Sequence, residues 1–421
     1  MPRLLRPEAL ANALPLILMG SLLFCAGLPA FGQQNDSVNP PASDDALPDR
    51  AVTMFPHSET ARWWVSGQDN IISQWHPSFD AKYSGPNSFR AHGEHATSNI
   101  ATLYTGFQLT STTEIFMHFE AAAGGGLSDA LGLGGFTDLD VVRNPTLGTA
   151  PYIARGMIRQ IIPLSSEMIE AERNPWYLAT KVPVRRLELR FGKMGTNDFF
   201  DINNVGTDSH LQFMNWTVDN NGAYDYAADT RGYTVGLLVE YHDRNWAFRF
   251  EEALMPQVAN GINLQWNLRK ARAENYELEL HPAIRGKREV IIRLLSFVNH
   301  ANMGVYRDAI ADFLVGKTPR PTIIAHPEHT TVKYGFGLNF EEQLSSNVRA
   351  FGRFGWNEGQ HESYAYTEVD QSFQVGSDLA GERWRRKLDK IGAVVVSNAI
   401  KKIIRSTCGW AGWAFCWAMA D

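Results

Sequence analysis

From Ala61 onward, apolar and polar residues alternate with period two rather than the period of 3.6 that a helix would give. In RRLELRFGK, Arg185 to Lys193, Leu187, Leu189 and Phe191 fall on one face and Arg186, Glu188 and Arg190 on the other. Thr113 to Glu120 repeats the pattern, with Ile115, Met117 and Phe119 opposite Glu114, His118 and Glu120. Asn245 to Glu251 sets Trp246, Phe248 and Phe250 against Arg249 and Glu251, and Asn275 to Leu280 sets Tyr276, Leu278 and Leu280 against Glu277 and Glu279. Lys333 to Glu341 and Val348 to Trp356 alternate in the same way, with glycines, Asn339, Glu341, Arg349 and Arg353 off the aromatic face. Thirteen or fourteen such segments are present, most about nine to eleven residues long.

That length is what a tilted strand needs to cross a bilayer. Several connections are short and polar, such as Thr110-Ser111-Thr112 and His242-Asp243-Arg244, whereas Gly125 to Thr149 and Asp308 to Pro327 are long inserts. Tight turns alternating with long loops predict an all-β, antiparallel outer-membrane barrel. A soluble sandwich is the alternative, with the apolar face as its core and the charged face in water. Trp63, Trp64, Trp75, Trp246 and Trp356 lie near strand ends, where interfacial girdles form, and the polar faces mix both charge signs with glycine. Both features favour the barrel.

Composition changes the picture at the two ends. Arg3 and Arg6 precede an apolar run from Ala13 to Leu28, and Ala30-Phe31-Gly32 offers small residues where a signal peptidase cuts. We therefore expect residues 1–32 to be a signal peptide cleaved near Gly32, and the polar residues 33–57 a flexible mature N-terminus. Cys25 falls inside the leader, so the body from Ala51 to Ile400 has no cysteine and no disulfide to staple it. A net charge of −6 gives no basic footprint for nucleic acid.

Particular blocks carry a family likeness. Gln212-Phe213-Met214-Asn215-Trp216, Asn221-Gly222-Ala223 and Tyr226 to Tyr233 (YAADTRGY) resemble the carbohydrate-selective porins of the OprB type. Phe191-Gly192-Lys193, Asp198-Phe199-Phe200-Asp201, Leu254-Met255-Pro256, Asn275 to Glu279, Gly352 to Trp356, His76-Pro77 and Tyr83 to Ser88 are similar too. The resemblance runs from about Arg62 to Ile400. It implies a sixteen-stranded barrel in the Gram-negative outer membrane that passes glucose and other small sugars by passive diffusion through a charged constriction. Its partners would be carbohydrates, outer-membrane lipid and the barrel-insertion machinery, with no cofactor; no oligomeric state is implied.

A wall selective for neutral, hydroxyl-rich solutes needs arginine and carboxylate together, with weak binding. The candidates on the polar phase of their strands are Glu120, Arg155, Arg190, Glu240, Arg249 and Arg353. Asn215, Trp216, Asp229 and Arg231 are family-motif loop residues, and an ion pair within Asp229 to Tyr233 is expected to order that loop. An outer-membrane hydrolase is a further alternative, but neither G-x-S-x-G nor H-E-x-x-H occurs, and no metal-like His/Cys cluster is evident. His326, His329 and His361 are expected to face solvent.

The barrel domain is expected over 58–400. The end of the chain has a different texture: Ser406 to Asp421 contains Cys408, Cys416, three tryptophans and a single charge. Some permitted codons for this stretch, read in a shifted frame, encode a glycine-punctuated apolar strand. Residues 401–421 are therefore expected to be an aberrant tail that packs poorly, with the barrel lacking its last two or three strands.

Overall fold

The computed structural model describes residues 57–406, except 83–84, 86–87, 144–146, 283–289, 324–329, 365–366, 387–388 and 405. The expected leader and most of the expected tail, like His326 and His329, lie outside the described residues. Thirteen strands form one antiparallel sheet in the order β1-β2-β3-β4-β7-β8-β9-β10-β11-β12-β13-β14-β15. They are β1 (Trp63–His76), β2 (Glu94–Gln108), β3 (Thr113–Gly124), β4 (Tyr152–Pro163), β7 (Arg186–Met194), β8 (Thr234–Asp243) and β9 (Trp246–Ala253). The sheet continues through β10 (Arg272–Leu280), β11 (Val290–Ala301), β12 (Thr331–Ser345), β13 (Val348–Asn357), β14 (Gln371–Ala380) and β15 (Lys390–Ala399). β5 (Met168–Glu170) and β6 (Lys181–Pro183) form a separate hairpin. Among the described residues β1 and β15 do not pair with each other. No described helix is long and apolar enough to cross a membrane.

Every period-two segment read from the sequence is a strand, because alternation places one set of side chains on each face of the pleat. The two faces have opposite fates. Phe191 is 60% exposed while its neighbour Arg190 is wholly buried. Ile115, Phe248, Leu338 and Phe373 are likewise exposed, whereas Glu114, Glu188, Glu240 and Arg353 are buried. A water-soluble sandwich would have these reversed, so that alternative is discarded; an apolar exterior over a polar interior is the arrangement of a membrane barrel. Trp63, Trp75 and Trp246 point outward as girdle residues should, but Trp64 does not. Consecutive residues of a strand face opposite sides, so Trp64 turns inward and stacks on His57 with ring centroids 3.8 Å apart.

The connections alternate. Residues 109–112, 244–245 and 346–347 make tight turns at one end, and 77–93, 125–151, 195–233, 254–271, 302–330 and 358–370 make long loops at the other. Two of the connections that fold back over the polar face frame the site. The long loop 195–233 reaches β4 through Asp198, β12 through Asn203 and β15 through Thr217, so the sheet curls round it. Inner-face glycines make room for it: a Cβ on Gly355 would collide with the Asn221 side chain, which also fills the space over Gly337. The second, 164–185, enters from the tight-turn end and carries the β5–β6 hairpin.

Candidate functional site: the inner wall

Side chains of eight strands, β3, β4 and β7 to β12, join into one ladder of alternating charge on the inner face. Glu114 accepts from Arg159 (2.8 Å), which also donates to Glu188 (2.7 Å). Arg190 joins Glu188 to Glu240 at 3.2 Å each. Arg249 bridges Glu240 (3.1 Å), Glu277 (2.9 Å) and Glu279 (3.1 Å). Arg293 closes the row between Glu279 (2.7 Å) and Glu341 (2.6 Å). Apart from Arg190, at the middle of β7, these residues lie toward the tight-turn end of their strands, and the antiparallel register brings them level.

A second cluster sits nearer the long loops. Arg155 makes a two-pronged contact with Asp198, at 2.6 and 2.7 Å, and lies 3.6 Å from Glu120. Glu120 in turn accepts from Tyr152 (2.8 Å) and Tyr233 (2.6 Å). The Arg155 guanidinium also faces the rings of Tyr233 and Trp176 at 5.0 and 5.5 Å. Arginine, carboxylate and aromatic groups thus converge in one place, a combination able to hydrogen-bond hydroxyls and cover an apolar ring face.

Of the six candidates from the sequence, Arg190, Glu240 and Arg249 belong to the ladder and Glu120 and Arg155 to the second cluster. Arg353 joins neither: it lies wholly buried against loop 195–233, 3.2 Å from Asp201 and donating to the carbonyls of Asp201 and Val218. Glu114, Arg159, Glu188, Glu277, Glu279, Arg293 and Glu341 complete the ladder; the same strand phase marked most of them. Asp198, Trp176, Tyr177 and Tyr233 come from connections, where no periodicity announces them.

The family-motif residues order loop 195–233. Asn215 caps a short helix, Trp216–Asp219, by accepting from the Thr217 N–H at 3.0 Å, and Trp216 lies under the Arg143 guanidinium at 3.5 Å. Asp229 orders its turn by accepting from the backbone N–H groups of Arg231 (2.8 Å) and Tyr233 (3.1 Å), and its ion-pair partner is Lys193 of β7, at 4.0 Å, rather than a residue within 229–233. The Arg231 side chain stacks instead on Tyr152, 3.7 Å from its centroid. His361, expected to face solvent, is half-buried, its ring paired at 2.6 Å with Glu358 three residues earlier in the same loop.

Buried charge marks this loop layer. Burial pushes the Asp219 carboxyl up to about 7, against the opposing pull of its hydrogen bond from Asp208 N–H. Burial would lower His210, but its contacts to Asp140 (2.9 Å) and Asp208 (3.4 Å) outweigh that and hold it at about 10. On the wall, Glu188, Glu240 and His242 could in geometry hold a metal ion, their ligand atoms lying within 4.8 Å of one another. Both carboxylates, however, are already shared among Arg159, Arg186, Arg190 and Arg249. Four cations at that spot disfavour a fifth.

The fold has a solved counterpart. It is similar to Pseudomonas putida OprB, at 15% identity and a TM-score of 0.57, over 85% of this chain and 79% of that one. Salmonella typhi OmpF in complex with daunomycin is a more distant match, at 8% identity and a TM-score of 0.34, over 82% and 99%. No curated protein matches the sequence. Residues 160–405 match the family described as carbohydrate-selective porin, OprB family. With more than half the chain inside that match, the protein belongs to the carbohydrate-selective porins of the OprB family, and is an outer-membrane sugar channel.

Proposed function

We propose that the channel passes small neutral sugars passively into the periplasm, and that it does no chemistry on them. The observation that carries this reading is the inner ladder of alternating arginine and carboxylate. Pairing four arginines with six carboxylates leaves most of the wall's charge compensated, while residual donors and acceptors exchange one by one with sugar hydroxyls. Such contacts are individually weak, which conduction requires.

Accessibility divides the six candidates. The side chains of Glu120, Arg155 and Arg249 keep 10–12% of their surface exposed, whereas Arg190, Glu240 and Arg353 keep 2% or less. In this reading the first three meet the solute and the second three hold the wall. Liposome swelling tests it. Protein-dependent swelling in a monosaccharide is expected, and Arg155→Ala or Arg249→Ala should alter the relative rates among sugars while folding is retained. Loss of protein-dependent swelling in every sugar tried would defeat the proposal.

A further inference from the structure

The connection between β4 and β7 is far longer than a tight-turn end requires, since residues 244–245 alone suffice between β8 and β9. Its legs pair as β5 and β6, and its tip turns at Asn174, whose side chain accepts from the Trp176 N–H at 2.9 Å. The tip does not stay in the aqueous rim. Leu178 and Ala179 are buried, and their N–H groups both donate to the Glu114 carboxylate of the ladder, at 3.2 and 2.7 Å. Trp176 packs against inward-facing Tyr104 and His118, at centroid distances of 6.0 and 6.2 Å. Tyr177 lies between Arg159 and Arg190, 4.7 and 4.6 Å from their guanidinium carbons. Arg190 also faces Phe199 of loop 195–233 at 4.8 Å. The two inserted segments therefore meet over one rung of the ladder, one entering from each end.

We propose that the hairpin 164–185 is a second selectivity element, in which Trp176 and Tyr177 set the largest sugar that passes. This rests on the channel reading. A solute entering from the long-loop side first meets the layer formed by 195–233, then must slip past these two rings before reaching the tight-turn end, which faces the periplasm in such barrels. The rings are suited to the task because the wall does not depend on them. Arg159 keeps Glu114 and Glu188, and Arg190 keeps Glu188 and Glu240, when Tyr177 is shortened. Trp176 and Tyr177 are bulky, and the hairpin that carries them is anchored to the wall by the next two residues, through the backbone N–H groups of Leu178 and Ala179.

The test is the ratio of disaccharide to hexose swelling rates in proteoliposomes, which is independent of how many channels insert. Trp176→Ala and Tyr177→Ala should raise that ratio severalfold, while Tyr177→Phe, which keeps the ring, should leave it as in the wild type. An unchanged ratio in both alanine variants would overturn the proposal. Heat-modifiable gel mobility confirms folding, and Trp176→Leu with Tyr177→Leu replaces any alanine variant that fails it, read by the same ratio. Hexose swelling by the wild type separately checks the channel itself, so that silence there refutes the channel and an unmoved ratio refutes only the hairpin.

Discussion

At the scale of single residues, the ladder ranks its own members. Arg159 is wholly enclosed and is the arginine paired with the buried Glu114, so removing it strands that carboxylate, whereas Glu188 keeps Arg186 and Arg190. Arg190 contacts two carboxylates, but Glu188 retains Arg159 and Arg186, and Glu240 retains Arg249. Breaking a buried pair by deleting one partner costs about 3–5 kcal/mol. Arg159→Ala is therefore expected to lose about that much stability by denaturant titration in lipid, and Arg190→Ala clearly less. An equal loss in both would mean that the carboxylates do not share their arginines as the distances indicate.

At the scale of elements, loop 195–233 is tied to loop 125–151 by His210, which sits between Asp140 and Asp208. The histidine's folded value, about 10, is above its unfolded value of about 6.5. Its contribution is thus complete below about pH 6.5 and is lost as pH rises through about 10. Asp140 is shifted the other way: burial would raise it, but the His210, Ser209 and Asn70 contacts hold it below the usual carboxylate range. Its contribution is present above the ordinary aspartate value and disappears in acid. Protease cleavage of the loop should accordingly rise between neutral pH and about 10, and His210→Gln should be cleaved readily at neutral pH without that further rise. A wild type as resistant at pH 10 as at 6 would show that this clamp does not hold the loop.

At the scale of the whole molecule, the exposed apolar face must meet hydrocarbon. Leu338, near the middle of β12 and 41% exposed, is a direct probe. Leu338→Arg should destabilise the protein by about 2–4 kcal/mol in a bilayer, the cost of an arginine at mid-depth on the lipid face. A neutral result would place that surface in water. Strand existence, strand phase and the division into lipid and inner faces were all legible in the sequence, because pleating is local: RRLELRFGK assigns its own two sides wherever it is placed. The charged rungs followed from the same phase, as Arg190, Glu240 and Arg249 show. The paths of 195–233 and 164–185 were not legible. They have no period, and their positions depend on partners remote in the chain, such as Asp198 with Arg155, Asn203 with Asn339 and Leu178 with Glu114. The sequence by itself determined an alternating, membrane-facing wall with a polar inner face; only tertiary structure decided which polar residues pair, which are sealed from solute and which rings stand in the passage, because those outcomes are set by long-range register and by the burial of segments that carry no local signal.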